Sequence, residues 1–446
     1  MTHRNPPLAA LLGVIGLFTL GVVTPALAAA PGGARAPAAA PCDRACLQAI
    51  LSQYVDAVLA HEPSRLPLAE NARVTDNGLQ VKLGEGLWNS VTGAGGFRQD
   101  YIDTQREIAA SHVMFREGAN QMLHSVVLHV RDKKITGIET LNERVTPDSR
   151  WQPTMLSQPL ARMNDPVSAE QRDSRPTMIR TALTYTEGLR IGSFVRAPTP
   201  FATDAYRIEN GAFMAGAGCP REPCSDILRQ TIIEHPDVTA SIAAVDEENG
   251  TVLLWMNFGD TRSYGPGNAL VTLEAFKVWG GEIHVVHAFF STLPVSTQRG
   301  WPSSDPMPSL LEYRVQHNED VKAIENLLVE YGRTLDQRDF AAYSRLFAKQ
   351  GEWEGAQGIF KGPATIQTEM EKIFARARDI PKGNNFHVMS NFIIDVKGDR
   401  ATADSMFVFH VLQGGKPVPN TAGRYRDILI REDGQWRFLR RVARGP

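Results

Sequence analysis

A chain of 446 residues exceeds one typical domain and has room for three, at roughly 100 to 200 residues each. An apolar share of 43% supports real hydrophobic cores. The 47 basic and 49 acidic residues leave a net charge of -2 with no long run of one sign, which argues against nucleic acid as a partner.

Arg4 precedes the apolar run LAALLGVIGLFTLGVV, Pro25 breaks it, and Ala26, Leu27 and Ala28 form an A-x-A cleavage signature. Residues 1–30 therefore read as a signal peptide, with a linker at 31–41. A retained anchor is the rival reading, because the run from Leu8 to Ala30 is almost long enough to span a bilayer. Cys42 lies well beyond that run, which disfavours a lipoprotein. With no second apolar span, the mature chain is expected to be periplasmic or secreted and off the membrane. CDRAC (Cys42, Cys46) and CPREPC (Cys219, Cys224) place the cysteines in two close pairs, which in an exported chain read as two disulfides. Zinc is the alternative, and such spacings without paired histidines fit it poorly.

Two proline-rich stretches divide the rest into blocks at 42–150, 170–303 and 318–446, with linkers at 151–169 and 304–317. Each block opens with a helical face of period i, i+3, i+4, i+7: Leu47, Ile50, Leu51, Tyr54, Val55 and Val58; more weakly Ile179, Ala182, Leu183 and Leu189; and Ile324, Leu327, Leu328, Tyr331 and Leu335. Each closes with a hairpin pattern: LHVRDKKITGIETL, FKVWGGEIHVVHAFF and ILIREDGQWRFLRRV. The first two share RVTDNG (Arg73–Gly78) and RIENG (Arg207–Gly211). Triplication of one helix-then-sheet unit is the simplest reading. It predicts an α+β protein of three tandem cone-like domains, each with helices packed on a curved antiparallel sheet. A pocket between helices and sheet then suits a small apolar ligand.

In the third block, FHVMSNFIIDVKGDRATADSMFVFH reads as two strands around a turn at Gly398 and Asp399. A two-residue loop pairs His387 with His410 and Asn391 with Met406, and sets these and Met389 on one face as candidate pocket residues. A one-residue bulge would instead turn His410 to the other face. His284 and His287 in HVVH point to opposite faces of a strand, as do His124 and His129, so neither pair makes a metal site. TGAGGF lacks a following helix and reads as a loop. Trp436 and Phe438 share one face and read as core.

YGRTLDQRDF, LFAKQGEWEGAQGIFKGP, HVMSNFIIDVKGDRATA and GRYRDILIREDGQWRF in residues 321–446 resemble the SnoaL-like branch of the nuclear transport factor 2-like superfamily. That family includes dehydratases, a dehydrochlorinase, isomerases, cyclases and members without chemistry. Its scytalone dehydratase and hexachlorocyclohexane dehydrochlorinase use an Asp on the first helix paired with a His on the sheet, and the resemblance places Asp336 and His387 at those positions. It also makes Trp353 a pocket tryptophan and lends support to His410. SRLPLAENARVTDNG and LGEGLW resemble a secreted family of bacteria and fungi without assigned activity. Aligning Tyr54, Tyr185 and Tyr331 sets Leu59 and Arg190 opposite Asp336, so only the third block carries the dyad.

The resemblance implies an exported lyase or isomerase that needs no cofactor and acts on a small, largely apolar compound. His387 would take a proton, Asp336 would fix its tautomer, and His410 or Tyr331 would donate to developing negative charge. The alternative is a small-molecule-binding or scaffold protein without turnover, and an oligomer is left open.

Overall fold

The computed structural model describes residues 41–149, 152–219, 224–376 and 382–445. The expected signal peptide and most of the linker at 31–41 lie outside them. Three six-stranded sheets share one strand order. The first domain runs α1 (Arg44–Ala60), β1 (Leu68–Asp76), β2 (Leu79–Gln80), α2 (Leu87–Ser90), β3 (Gly93–Asp103), β4 (Ile108–Glu117), β5 (Asn120–Arg131) and β6 (Lys134–Val145), with sheet order β2-β1-β6-β5-β4-β3. The second repeats it as α3 (Arg175–Arg190), β7 (Phe201–Glu209), β8 (Ala212–Gly216), β9 (Thr239–Asp246), β10 (Thr251–Asn257), β11 (Asn268–Trp279) and β12 (Glu282–Pro294). The third adds α4 (Leu310–Asp336), α5 (Phe340–Ser344), β13 (Phe347–Gly355), β14 (Gly358–Lys361), α6 (Pro363–Arg376), β15 (Asn385–Lys397), β16 (Arg400–Gln413), β17 (Lys416–Glu432) and β18 (Gln435–Arg444). Each sheet is antiparallel except for one pair, in which the unit's first strand lies parallel to its last.

The apolar stripe of each opening helix faces its sheet. Tyr54, Tyr185 and Tyr331 sit at the centre of the three cores and are all buried, as are Trp436 and Phe438. A Ser309–Glu312 capping box starts α4 at Leu310, inside the stretch read as a linker up to 317.

The linkers are structural straps. Leu156, Leu160 and Met163 from the first are buried where the outer faces of the first two sheets pack together, with Leu123, Leu141, Leu253 and Phe289. Just before the second, at the end of the second block, Arg299 makes a two-point ion pair with Glu139 at 2.8 Å, and the Trp301 ring stacks on His129. Arg175 at the start of α3 ties the first two domains to this strap through Asp103 and Asp305. The third domain joins the second at its hairpin tip. There Asp399 accepts from the Ser174 backbone N–H at 2.9 Å, and Gly398, with φ +58° and Thr177 and Gly281 against its Cα, leaves no room for a side chain.

Cys42–Cys46 and Cys219–Cys224 are disulfides, which removes these thiols from the zinc alternative. Mass spectrometry of the unreduced protein should find no free thiol, and four alkylated cysteines would contradict the pairing. No helix among the described residues is long and apolar enough to cross a membrane.

His112 of β4 and His287 of β12 meet between the first two sheets with their Nδ1 atoms 3.1 Å apart, both beside the Tyr101 hydroxyl. Burial pulls His112 well below its ordinary range, His287 down to about 3 and, inside the first domain, His124 down to about 4. These folded values lie below that of a solvated histidine, so the unfolded chain binds more protons in acid. Stability should fall as pH drops below about 6.5, by about 1.4 kcal/mol per pH unit for each histidine kept neutral. Urea titrations between pH 7 and 5 check this; His112→Gln/His287→Gln should flatten the slope, and an unchanged slope would contradict the assignment.

Candidate active site in the third domain

The last turn of α4 presents Asp336 to the first residues of β15. Its Oδ1 accepts from His387 Nδ1 at 2.7 Å and from Asn385 Nδ2 at 2.7 Å, while Oδ2 accepts the His387 backbone N–H at 2.7 Å. An ionised carboxylate only accepts, so Nδ1 carries the imidazole proton and Nε2 holds the lone pair. Among the described residues the hydrogen bonds of His387 run through Nδ1 and the backbone N–H and leave Nε2 out, and 8% of the side chain is exposed. The imidazole is thus oriented from behind, through Nδ1.

Three supporting residues escaped the sequence reading. Arg338, in the left-handed region at φ 56° just past α4, donates to Asn385 Oδ1 at 3.0 Å and so fixes which end of that amide faces Asp336. Asn385 was readable as a neighbour of His387 at strand period two. Gly332 lets α4 approach β15: a Cβ there would lie 3.2 Å from His387 Cβ and 3.5 Å from Met389 Cγ.

His410 does not join the dyad. From the Gly398–Asp399 turn the expected register holds as far as Ile393↔Asp404, but the next pair is Ser390↔Met406, so Asn391 and Phe392 together oppose Ser405. Asn391 takes φ 53° at this bulge. His410 consequently pairs with Phe386 and stacks on its ring at 4.9 Å, on the outer face. Met406 and Asn391 meet on that outer face as well, at 3.4 Å between Nδ2 and Sδ. Of the expected pocket face only Met389 stays with His387; the others there are Phe407 and Phe409, with ring centroids 6.0 and 4.7 Å from the imidazole.

Tyr331 and Trp353 do meet. The Trp353 indole N–H donates to the Tyr331 hydroxyl at 2.9 Å, and both residues are buried. The sequence reading missed Arg441, whose guanidinium lies 3.9 Å from the Tyr331 ring centroid and 4.1 Å from that of Tyr425. Arg441 and Asp427 form a fully buried two-point ion pair at 2.7 Å, yet Arg441 Nη1 has no partner among the described residues. Burial raises the Asp427 carboxyl and Arg441 opposes that shift. The third core therefore contains a fixed, neutralised ion pair whose guanidinium has one donor to spare. Leu59 and Arg190 stand where Asp336 does in the other repeats, and Arg190 is held by Glu187 and the Val238 carbonyl.

Residues 40–142 and 171–290 match the family model of a domain of unknown function (DUF8021), and residues 316–442 match that of a SnoaL-like domain. Among solved structures, the chain is similar to an NTF2-like protein with a cystatin-like fold from Novosphingobium aromaticivorans, at 26% identity over 31% of this chain and 90% of that one, with a TM-score of 0.28. A function-unknown protein from Mycobacterium tuberculosis is 24% identical over 30% of this chain and 75% of its own, with a TM-score of 0.27. LinA is 18% identical over 30% and 90%, also at 0.27. No curated protein matches the chain.

Proposed function

The chain belongs to the DUF8021 family and ends in a SnoaL-like domain, and from this premise we propose that its third domain is a lyase or isomerase of a small, largely apolar compound. The observation that carries the reading is the 2.7 Å Asp336–His387 hydrogen bond with Nε2 left unbonded. A base so placed takes a proton from carbon next to a carbonyl or a leaving group. The freed electron pair forms a double bond as the leaving group departs, or the proton returns to another carbon in an isomerisation. Asp336 holds the tautomer and stabilises the imidazolium formed. Tyr331, whose hydroxyl is held by the Trp353 indole N–H, is the donor assigned to developing negative charge. Phe407, Phe409 and Met389 favour an apolar substrate body.

The two disulfides support an oxidising compartment, periplasmic or extracellular. The competing reading is a binding protein in which Asp336 only anchors β15 to α4. A panel of small cyclic β-hydroxy ketones and β,γ-unsaturated ketones separates the two. Loss of water or double-bond migration faster than in buffer supports the enzyme, and saturable binding without conversion across the panel favours the binding protein.

A further inference from the structure

RVTDNG and RIENG prove to be the same piece of the fold. Asp76 lies opposite Thr140 and Glu209 opposite Ala288 in the parallel strand pairs. Each is followed by an asparagine of positive φ whose backbone N–H donates to that partner's carbonyl at 2.9 Å. Each asparagine also caps the parallel strand two residues on, at Asn142 and at Phe290. Asp76 is thus the counterpart of Glu209, and Val74, opposite Ile138, is the counterpart of Arg207, opposite Val286.

The second domain neutralises its carboxylate internally. Arg207 pairs with Glu209 at 2.9 Å and donates to the Tyr185 hydroxyl at 3.0 Å, filling the space between the strand and the helix tyrosine. The first domain has a valine there. Asp76 Oδ1 receives only neutral donors, the Thr140 hydroxyl at 3.0 Å and the Asn142 amide at 2.6 Å, and Asp76 makes no ion pair among the described residues. Between Asp76, Val74, Tyr54 and Trp88 lies a cavity of about 170 Å³.

We propose that this cavity binds a small organic cation of guanidinium or primary ammonium type, which takes the place that Arg207 fills in the second domain. The polar wall is aligned for it. Asn142 gives its amide N–H to Asp76, so its oxygen accepts from His124 Nδ1 at 2.6 Å, and His124 Nε2 then accepts from the Tyr54 hydroxyl at 3.2 Å. Every donor in this chain points toward Asp76 and reinforces its negative charge. The Tyr54 and Trp88 rings, edge to face at 5.8 Å, offer aromatic surface to a cation. Lys82 and Glu85 also line the cavity; Lys82 is exposed and makes no ion pair with Asp76. Burial raises the Asp76 carboxyl against the pull of its neutral donors on Thr140, Asn142 and the Asn77 backbone, as expected of a carboxylate without a countercharge.

Calorimetric titration of the full chain with ethylguanidinium tests this, with neutral ethylurea of the same shape as control. The wild type should bind one ethylguanidinium at least tenfold more tightly than ethylurea. Asp76→Asn should weaken the cation at least tenfold, about 1.4 kcal/mol, and Val74→Arg should abolish binding by supplying the group from the chain. Absence of saturable wild-type binding, equal affinity for ethylurea, or undiminished binding by Asp76→Asn would each overturn the proposal. The ethylurea comparison needs no variant and stands even if a substitution prevents folding.

Discussion

Replacing His387 with Ala should lower turnover of any substrate found for the third domain by roughly 10² to 10⁴-fold, the usual contribution of a positioned general base. Asp336→Asn should approach that loss without unfolding the domain. An asparagine presents an N–H where His387 Nδ1 now donates, and so favours the tautomer whose Nε2 is protonated and cannot act as a base. Because Asp336 acts only through His387, the double variant should be little worse than His387→Ala. Steady-state rates of the three proteins check this. Additive losses would mean that the two residues do not act as a unit, and collapse of both single variants in circular dichroism would mark the pair as structural.

Arg175→Ala should destabilise the first two domains by about 3 to 5 kcal/mol, because removing one partner from a buried ionic cluster strands the others. Arg175 grips Asp103 with contacts of 2.5 and 3.1 Å and Asp305 with contacts of 2.7 and 3.0 Å. Its side chain is 8% exposed, that of Asp103 0% and that of Asp305 6%. Hydrogen bonds from Arg175 and Arg106 outweigh burial and hold the Asp305 carboxyl down to about 2, so Asp305 stays ionised at neutral pH. The half-exposed Arg106 also touches Asp305, at 3.0 Å, and serves as the control. Arg106→Ala should cost less than about 1 kcal/mol, as exposed pairs do. Urea midpoints compare the two; equal midpoints for Arg175→Ala and the wild type would show that the strap does not hold the domains together.

The triplication was legible because each opening helix buries a continuous stripe around a tyrosine, and burial imposes that period on the sequence. The Gly398–Asp399 turn was legible too, and it set the register correctly back to Ile393. Beyond that the alternation fails as a guide, because Val388 and Ile393 on the outer face are as apolar as Met389 and Phe392 on the inner. Nothing in the residue types marks the bulge at Asn391, and the placement of His410, Met406 and Asn391 was lost with it. The straps were hidden for a different reason. Leu156, Leu160 and Met163 lie in irregular backbone without a period, so proline spacing suggested a loose linker where the structure buries one. Arg441 and Arg207 are charges inside cores, and a strand pattern gives no warning of them; only the pairing of Glu209 with Arg207 and of Asp427 with Arg441 makes such burial tolerable.

Proton abstraction by His387 can be measured without knowing the final product. Small cyclic ketones incubated with the protein in D₂O and followed by proton NMR report exchange at the carbon next to the carbonyl. Deuterium incorporation above the buffer rate is expected with the wild type, falling to near the buffer rate with folded His387→Ala. Equal incorporation by the two proteins would contradict it.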